Sequence, residues 1–327
     1  MPADGQPLRV NRVGGGATDR SYVVVACAPY SGSTLLASLL GSHPEIATVS
    51  ELSGKERKHR MAEFRCSCQR LMIDCPFWRQ VQDQMKAIGY ADFELADFGV
   101  HFGRQVGRLH RIRTGSLHWA PVEELRDTAL NLVPAHNQAL HTLGRRNQAL
   151  ANVVLEITGK RVFVDASKEP MRLGHLNRHL DMDLRAVHLV RDVRGAVASS
   201  KRRYGAQTDV GAAAKAWART NATLMRHLNK LESHRHTLIR YEDLCRDPAG
   251  TMASLYAFCR VDASVAPVLS YETQHLLGSR GRLESTTEIR LDDGWRSSLS
   301  RHELARVWEA SRSVMRSVYP SAVGPWV

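Results

Sequence analysis

The sequence feature that most constrains the fold is the stretch of residues 21–41 near the start of the chain. Residues 22–27 are apolar and rich in β-branched side chains, residues 29–33 read Pro-Tyr-Ser-Gly-Ser, and residues 35–40 repeat leucine at helical spacing. An apolar β-branched run favours a strand, Pro and Gly favour a turn, and the leucine spacing predicts a helix. The stretch therefore predicts a strand, a short loop and a helix in direct succession.

The loop in this stretch has the composition of an anion-binding site. Gly32 allows the backbone to approach a ligand closely. The first amides of the predicted helix, those of Ser33, Thr34 and Leu35, have no acceptor within the helix, and a helix N-terminus favours negative charge. The hydroxyls of Ser31, Ser33 and Thr34 add donors. We expect an anionic group here; taken alone, the stretch also fits an ordinary capped strand-to-helix turn.

The loop differs from the one that binds nucleoside triphosphates. The pattern G-x-x-x-x-G-K-[ST], aligned on Gly32 and Thr34, requires Gly where Cys27 stands and Lys where Ser33 stands. Without that Lys the loop is poorly suited to the charge of β- and γ-phosphates. The sequence therefore disfavours ATP or GTP with Mg²⁺ as the ligand.

The composition is typical of a globular protein with an anionic ligand. The chain has 327 residues, of which 43% are hydrophobic, so a sizeable core can form. The formal charge of +12 favours an anionic ligand, a polyanion or a membrane surface. The basic residues are spread along the chain, so charge alone names no partner, and we expect no nucleic acid.

The sequence also bears on membrane spans and on the N-terminus. No segment reaches the roughly 18 uninterrupted apolar residues that a membrane span requires, so we expect no transmembrane segment. Residues 1–20 lack the apolar centre of a signal peptide and contain three successive glycines. We expect residues 1–20 to form a flexible tail and the protein to be cytoplasmic.

Three of the six cysteines, Cys66, Cys68 and Cys75, lie close together in the sequence. With His59 upstream they could bind Zn²⁺, although the spacing does not repeat the paired C-x-x-C of structural zinc sites. A redox-sensitive pair is a second interpretation. Reduced, partly buried cysteines are the one that we favour, because cytosolic thiols usually stay reduced.

Beyond residue 41, strand patterns alternate with helix patterns, which is typical of a parallel sheet. The predicted strands are residues 46–49, 161–165, 184–190 and 237–241, and the predicted helices are residues 173–180, 195–203, 212–230 and 249–258. We therefore predict an α/β fold with a P-loop-like parallel sheet flanked by helices. Residues 21–327 would form a single domain, with a helical insertion at about residues 77–151.

A basic stripe lies within this insertion. His101, Arg104, Arg108 and Arg111 follow one another at spacings of three or four residues, so they share one face of a helix. This face could contact an anionic acceptor or lipid headgroups, or be a solvated surface.

Two strand ends carry candidate functional side chains. Glu51 follows the second predicted strand, and open parallel sheets bind ligands at the carboxyl ends of their strands, so Glu51 is a candidate base. A solvated turn or a helix N-terminal charge is the alternative for this residue. Arg191 follows another strand, with Ser199 and Arg203 in the next helix; an Arg fork suits a pair of phosphate oxygens.

Four segments together resemble the sulfotransferases. Pro29-Tyr-Ser-Gly-Ser-Thr34 resembles their 5′-phosphosulfate loop P-[KR]-x-G-[ST]-T, and Arg191-Asp-Val-Arg-Gly-Ala-Val-Ala-Ser199 resembles their 3′-phosphate motif. Arg240-Tyr-Glu-Asp-Leu244 is similar to their R-Y-E-D-L segment, and residues 290–295 are similar to their C-terminal Arg-containing loop. The segments occur in the family's order, between about residues 23 and 300.

The resemblance is to the branch that includes tyrosylprotein sulfotransferases and bacterial relatives. Their His-Pro and Glu correspond to His43-Pro44 and Glu51, and their Lys-Asp-Pro segment to Ala166-Ser-Lys168-Glu-Pro170. This implies Glu51 as the catalytic base and Lys168 as the residue that stabilises the transition state. The implied nucleotide contacts are Tyr30, Ser31, Gly32, Ser33, Thr34, Leu35, Arg191, Ser199, Arg203, Tyr241 and Arg290. One position departs from the family, because Tyr30 replaces its Lys or Arg.

The resemblance implies transfer of a sulfuryl group from 3′-phosphoadenylyl sulfate to a hydroxyl or amine, with no metal expected. The acceptor would be a carbohydrate, a lipid-linked sugar, a peptide or a small molecule, and the sequence leaves the oligomeric state open. A weakly active or non-catalytic anion- or nucleotide-binding protein of the same fold is one alternative, and a P-loop kinase is another.

Overall fold

The computed structural model describes residues 20–52, 57, 59–102, 115–117, 119–278, 280–283, 288–322 and 324. Its centre is a five-stranded sheet in which every recorded strand pair is parallel. The strands are β1 (Ser21–Cys27), β2 (Ile46–Ser50), β3 (Val162–Asp165), β4 (Asp183–Val190) and β5 (His236–Arg240), in the spatial order β2-β3-β1-β4-β5. The prediction of a parallel α/β sheet is confirmed.

Helices connect and flank these strands. Those of the described residues are α1 (Ser33–Gly41), α2 (Pro76–Ala87), α3 (Ala120–Asn131), α4 (Pro134–Thr158), α5 (Arg172–His179), α6 (Val193–Tyr204), α7 (Val210–Leu228), α8 (Tyr241–Arg246), α9 (Pro248–Phe258), α10 (Trp295–Ser298) and α11 (Arg301–Val318). Short 3₁₀ turns lie at Met61–Glu63, Met72–Asp74, Ser233–Arg235 and Arg280–Leu283. No helix within the described ranges combines the length and the apolarity that crossing a membrane would take.

The central strand β1 is buried on both faces. Tyr22, Val24 and Ala26 pack into one apolar cluster, which also receives side chains of α2 and α4. The alternate residues Val23, Val25 and Cys27 pack into a second cluster with α1 and α9. Because a parallel sheet is covered by helices on both sides, its strands are apolar throughout and do not alternate with polar residues. This explains why residues 22–27 read as a continuous apolar run.

The parallel direction of the strands brings their carboxyl ends to one edge of the sheet. The loop before α1, Glu51 after β2, Lys168 after β3, Arg191 after β4 and Tyr241 after β5 all follow a strand at this edge. Open parallel sheets bind ligands at this edge. The topology therefore places the candidate residues of all five strands at the same edge of the sheet.

The helical insertion is partly described. Helix α3 and most of α2 and α4 lie within residues 77–151. Of the basic stripe, Arg104, Arg108 and Arg111 lie outside the described residues. His101 is buried and its Nδ1 is in hydrogen-bond contact with the Glu169 carboxylate, so its side chain faces the interior. The tail proposed for residues 1–20 lies outside the described residues except for Arg20.

Candidate active site

The loop between β1 and α1 needs glycine at position 32 for two reasons. Gly32 has φ +86°, a backbone conformation that side chains disfavour. A Cβ atom at this position would lie 2.5 Å from Cδ2 of Tyr241. Tyr30 also has a positive φ of 66°. The loop is therefore a tightly turned backbone that lies against an aromatic ring.

The start of α1 presents backbone donors. Gly32 precedes the helix, no side chain caps it, and the first turn contains no acidic residue. The amide of Leu36 donates to the Gly32 carbonyl at 3.1 Å, whereas the three preceding amides are in the first turn, where a helix offers no acceptor. The Ser31 Oγ is buried and has no hydrogen-bond partner among the described residues. Because buried polar atoms are rarely left unpaired, these groups have the character of an anion site.

Arg191, directly after β4, links the anion loop to helix α6. Its Nη1 donates to the Tyr30 carbonyl at 3.2 Å and to the Ser199 Oγ at 3.1 Å. Its guanidinium carbon lies 4.5 Å from the centroid of the Tyr241 ring. Gly195 makes room for this side chain, because a Cβ there would lie 2.8 Å from the Arg191 Nε. The Tyr241 ring thus contacts both Gly32 and Arg191.

A carboxylate already occupies the surroundings of Arg191. The Asp292 Oδ2 lies 2.9 Å from the Arg191 Nη2, accepts a hydrogen bond from Ser199 at 3.4 Å and pairs with Arg202. Burial raises the pKa of Asp292, but the hydrogen bond and charge of Arg191 outweigh it and leave this pKa below its usual value. The cluster of Arg191, Ser199 and Arg202 therefore binds an anionic oxygen in this structure.

Beyond the ends of the neighbouring strands β2 and β3, Glu51 and Lys168 form an ion pair. Their side chains are 14% and 18% exposed, so the pair is largely shielded while still reachable from solvent. Burial lowers the pKa of Lys168, but the Glu51 charge acts in the opposite direction and raises it above its usual value. Lys168 therefore remains a cation at neutral pH.

The turns that carry this pair are tied to each other. The Ser50 carbonyl accepts a hydrogen bond from the Ala166 amide at 2.8 Å, and the Leu52 amide donates to the Ser167 Oγ at 2.9 Å. Ser50 has φ 62°, which turns the chain immediately before Glu51. The ends of β2 and β3 therefore hold Glu51 and Lys168 in a fixed relation.

Asp165, at the end of β3, anchors the turn that carries Lys168. It is fully buried, pairs with Arg172 at 2.6 Å, and accepts hydrogen bonds from the Tyr22 hydroxyl at 2.7 Å and the Ser167 amide at 2.9 Å. Burial raises the pKa of Asp165, but Arg172 and these donors outweigh it, so this pKa lies below its usual value. Asp165 was not among the candidate residues, although a carboxylate at the end of an apolar predicted strand is a signal that the sequence contains.

Cys27 connects the anion loop with the Glu51–Lys168 pair. Burial raises the pKa of its thiol to about 11, while the Lys168 charge and a hydrogen bond to Ser33 act to lower it and the Glu51 charge to raise it. The Cys27 thiol is therefore within electrostatic reach of both charges and in contact with Ser33. The anion loop and Lys168 therefore follow two neighbouring strands, β1 and β3, at the same edge of the sheet.

Two of the residues expected at the nucleotide, Arg203 and Arg290, are exposed. The Arg290 side chain is 77% exposed and pairs with Glu288 at 2.6 Å, and its carbonyl accepts a hydrogen bond from the Tyr241 hydroxyl at 3.3 Å. Arg203 is exposed, whereas its neighbour Arg202 donates to the Ser199 Oγ at 2.9 Å. Arg202 and Asp292 are the residues of this cluster that sequence reasoning missed; the expectations for Arg203 and Arg290 stay predictions.

Comparison with known proteins identifies a family. The family model described as the sulfotransferase family matches residues 23–264. The match includes the anion loop, Glu51, Lys168, Arg191, Ser199 and Tyr241.

Three solved structures resemble the chain. The sulfotransferase domain of the Synechococcus PCC 7002 olefin synthase is 18% identical and covers 90% of this chain and 94% of that one, at a TM-score of 0.48. The sulfotransferase domain from the curacin biosynthetic pathway is 17% identical, covers 91% and 97%, and has a TM-score of 0.49. A mouse sulfotransferase complexed with PAP is 12% identical, covers 93% and 86%, and has a TM-score of 0.42.

One curated protein also matches in part. The histidine biosynthesis bifunctional protein of Blochmanniella floridana is 27% identical over 138 residues, which represent 38% of this chain and 38% of that protein. The match spans well under half the length of that relative and indicates no function for this chain. At TM-scores below 0.5 the structural likenesses are loose, and the family is identified by the family model.

Proposed function

Because the chain belongs to the sulfotransferase family, we propose that it transfers a sulfuryl group from 3′-phosphoadenylyl sulfate to a hydroxyl or amine of an acceptor. The donor would supply the sulfuryl group. It would be bound through two anionic groups, its 3′-phosphate and its 5′-phosphosulfate. The acceptor would be a carbohydrate, a lipid-linked sugar, a peptide or a small molecule. Glu51 would be the general base, and Lys168 would stabilise the transition state.

The observation that carries the proposal is the position of the Tyr241 ring. It lies against Gly32 of the anion loop and under the guanidinium of Arg191. Arg191 also donates to the loop at the Tyr30 carbonyl. The anion loop and the Arg191 cluster thus both border the Tyr241 ring. This arrangement suits a single ligand with two anionic groups better than two separate ligands.

The residues of the loop fit the 5′ end of such a donor. The amides of Ser33, Thr34 and Leu35 and the unpaired Ser31 hydroxyl would bind its phosphosulfate oxygens, and the absence of a side chain at Gly32 keeps the backbone accessible. Tyr30 contributes its carbonyl, which accepts from Arg191, but no charge. The 5′ end would therefore be bound mainly by dipoles and hydroxyls.

The Arg191 cluster fits the 3′-phosphate. It already binds the carboxylate of Asp292 through the groups that a phosphate would use, those of Arg191, Ser199 and Arg202. Charge-assisted hydrogen bonds to Arg are shorter and stronger than neutral ones, so this cluster would distinguish a 3′-phosphorylated nucleotide from AMP or ATP. Arg203, Tyr241 and Arg290 complete the proposed nucleotide contacts.

The Glu51–Lys168 pair supplies the chemistry of transfer. Glu51 would take the proton of the acceptor as the acceptor oxygen or nitrogen bonds to sulfur, a role that contributes about 10²–10⁴-fold to a rate. Lys168 and the loop amides would stabilise the negative charge that gathers on the departing phosphate oxygen, an electrostatic contribution of about 3 kcal/mol per donor. The ion pair keeps the base and the cation within contact of each other before the acceptor arrives.

Isothermal titration calorimetry with adenosine 3′,5′-bisphosphate, AMP and ATP tests the donor. Hydrogen bonds to charged groups contribute about 1.5–3 kcal/mol each, so we expect the bisphosphate to bind at least about tenfold more tightly than AMP, without Mg²⁺. Equal affinity for AMP would contradict the assigned 3′-phosphate site. A screen of acceptor classes with radiolabelled donor then tests for transfer.

One observation favours a second candidate, a nucleotide-binding protein of the same fold with little or no transferase activity. Tyr30 stands where the family has Lys or Arg, so the loop lacks one cation at the position of the transferred group. This candidate and the enzyme both bind adenosine 3′,5′-bisphosphate. Only the enzyme releases that product from the radiolabelled donor in an acceptor-dependent manner.

A further inference from the structure

Away from the candidate active site, Cys66, Cys68, Cys75 and His275 converge, and their ligand atoms all lie within 4.8 Å of one another. The Cys68 and Cys75 sulfurs are 3.7 Å apart, and the His275 Nδ1 lies 3.4 Å from the Cys75 sulfur and 3.6 Å from the Cys66 sulfur. Cys66 and Cys75 are completely buried. From this geometry we propose that the four residues form a structural Zn²⁺ site.

The separations match tetrahedral zinc coordination. With Zn–S bonds of about 2.3 Å and Zn–N bonds of about 2.0–2.1 Å, tetrahedral angles put two sulfur ligands about 3.8 Å apart and a sulfur and a nitrogen about 3.6 Å apart. The three recorded separations are within about 0.2 Å of these values. A disulfide would instead need sulfur atoms about 2.05 Å apart, and all six cysteines of the chain are free in this structure.

The chemistry of the ligands selects zinc among common metals. Three thiolates and one imidazole are soft and borderline donors, which suit Zn²⁺ and exclude the oxygen-seeking Mg²⁺ and Ca²⁺. Three Cys and one His fill a tetrahedral shell, as in structural zinc sites, and leave no position open for water or substrate. The site would therefore stabilise the fold and take no part in transfer, for which we continue to expect no metal.

The protein backbone brings the two ligand segments together. The Ser67 amide donates to the Leu276 carbonyl at 3.3 Å, the Leu276 amide donates to the Ser67 Oγ at 2.8 Å, and that hydroxyl donates to the Gln274 carbonyl at 2.7 Å. The His275 ring stacks on Phe77, with ring centroids 4.4 Å apart. These contacts hold His275 beside the cysteines and restrict its ring to one orientation.

The segment that carries His275 continues to the candidate base. The Leu277 amide donates to the Val49 carbonyl at 2.9 Å, which joins the segment to the end of β2. A Cβ at Gly278 would lie 2.7 Å from the Glu51 Oε1, so the backbone here packs closely against that carboxylate. If Glu51 has the role proposed above, bound zinc would stabilise the backbone at Gly278, against which the Glu51 carboxylate packs. The zinc site itself does not depend on that role.

Metal analysis of the full chain, purified without a histidine tag, tests the proposal. We expect inductively coupled plasma mass spectrometry to find about one zinc ion per chain, as one four-ligand site would hold. The variants Cys75→Ser and His275→Ala should lose zinc. Cys259→Ala, which removes a buried cysteine elsewhere in the core, should retain it. Zinc far below one per chain, iron in its place, or equal zinc in all variants would overturn the proposal.

Cobalt substitution of the wild-type chain keeps the test valid where a variant fails to fold. Co²⁺ in three-thiolate tetrahedral coordination should give intense visible and thiolate charge-transfer absorption, and Zn²⁺ should abolish it by displacement. Removal of zinc with a chelator should lower the melting temperature, and added Zn²⁺ should restore it. A missing cobalt spectrum, or a thiol count in denaturant that reveals a disulfide, would overturn the proposal. None of these measurements depends on nucleotide binding or sulfate transfer, so they remain decisive if the proposed function fails.

Discussion

Asp292 and Arg191 are joined by an ion pair with a distance of 2.9 Å between Oδ2 and Nη2, although 101 positions separate them in the sequence. The same carboxylate accepts a hydrogen bond from Ser199 and pairs with Arg202. Asp292 therefore uses the donors that we assign to the 3′-phosphate. A nucleotide that binds there has to displace this carboxylate.

We accordingly expect Asp292→Asn to bind adenosine 3′,5′-bisphosphate more tightly than the wild type. Removing the competing charge leaves the donors of Arg191 available, and one hydrogen bond to a charged group corresponds to roughly tenfold in affinity. Titration calorimetry at constant salt measures the change. The neighbouring Asp293→Asn is a matched control, because its carboxylate is 64% exposed and lies 3.9 Å from Arg296. Weaker binding by Asp292→Asn would show that Asp292 helps to form the site.

Substitution of Gly32 tests the architecture of the anion loop. Gly32→Ala would place a Cβ 2.5 Å from the Tyr241 ring at a positive φ, so we expect a loss of about 2–4 kcal/mol in the free energy of unfolding. Gly89→Ala is the control, since Gly89 has φ +100° but no atom within 4 Å of the added Cβ. It should lose only about 1 kcal/mol, from backbone strain. Equal losses in urea denaturation would mean that the Tyr241 contact is unimportant.

Replacing the candidate base should separate binding from turnover. Glu51→Gln keeps the size of the side chain but removes its basicity, and we expect a fall of about 10²–10⁴-fold in kcat. Affinity for adenosine 3′,5′-bisphosphate should stay close to that of the wild type, because the assigned nucleotide contacts do not include Glu51. Glu94→Gln, at an exposed carboxylate, serves as the control. Unchanged turnover in Glu51→Gln would exclude Glu51 as the base.

The buried pair of Asp165 and Arg172 should govern acid stability. The pKa of Asp165 is lower in the folded protein than the usual value of about 3.9, so its carboxylate stabilises the fold above that value and loses the effect as pH falls through the lowered pKa. Asp165→Asn removes the nearer carboxylate of the buried Arg172 and leaves it only Glu169 at 3.9 Å, so we expect a loss of about 3 kcal/mol at neutral pH.

Urea denaturation of both proteins between neutral and acid pH measures this contribution. The difference between wild type and Asp165→Asn should be largest at neutral pH and shrink below about pH 4. Asp74→Asn, which breaks an ion pair with Arg79 on the surface, should change stability by less than about 1 kcal/mol at any pH. If the difference in unfolding free energy between the two proteins is constant with pH, the charge of Asp165 is not what stabilises the fold.

The sequence by itself determined most of the strands and helices and their order along the chain. The apolar run before Pro29 predicted β1, and the observed strand is Ser21–Cys27. The strand predicted at residues 161–165 is observed as Val162–Asp165. Tyr241 was predicted to end a strand and instead begins the short helix α8. Burial on a regular period leaves a local signal in the sequence, and element ends leave a weaker one.

Only the tertiary structure decided which distant side chains meet. His59 was the histidine nearest in sequence to the three cysteines, yet the fourth member of their cluster is His275, 200 residues beyond Cys75. The Asp292 carbonyl accepts from Arg191 across 101 residues. Such pairs leave no periodic trace in the sequence, because the loops that bring them together are placed by the packing of the whole sheet and its helices. Local patterns thus fixed which strand ends carry chemistry, and packing fixed which charges and thiols face one another there.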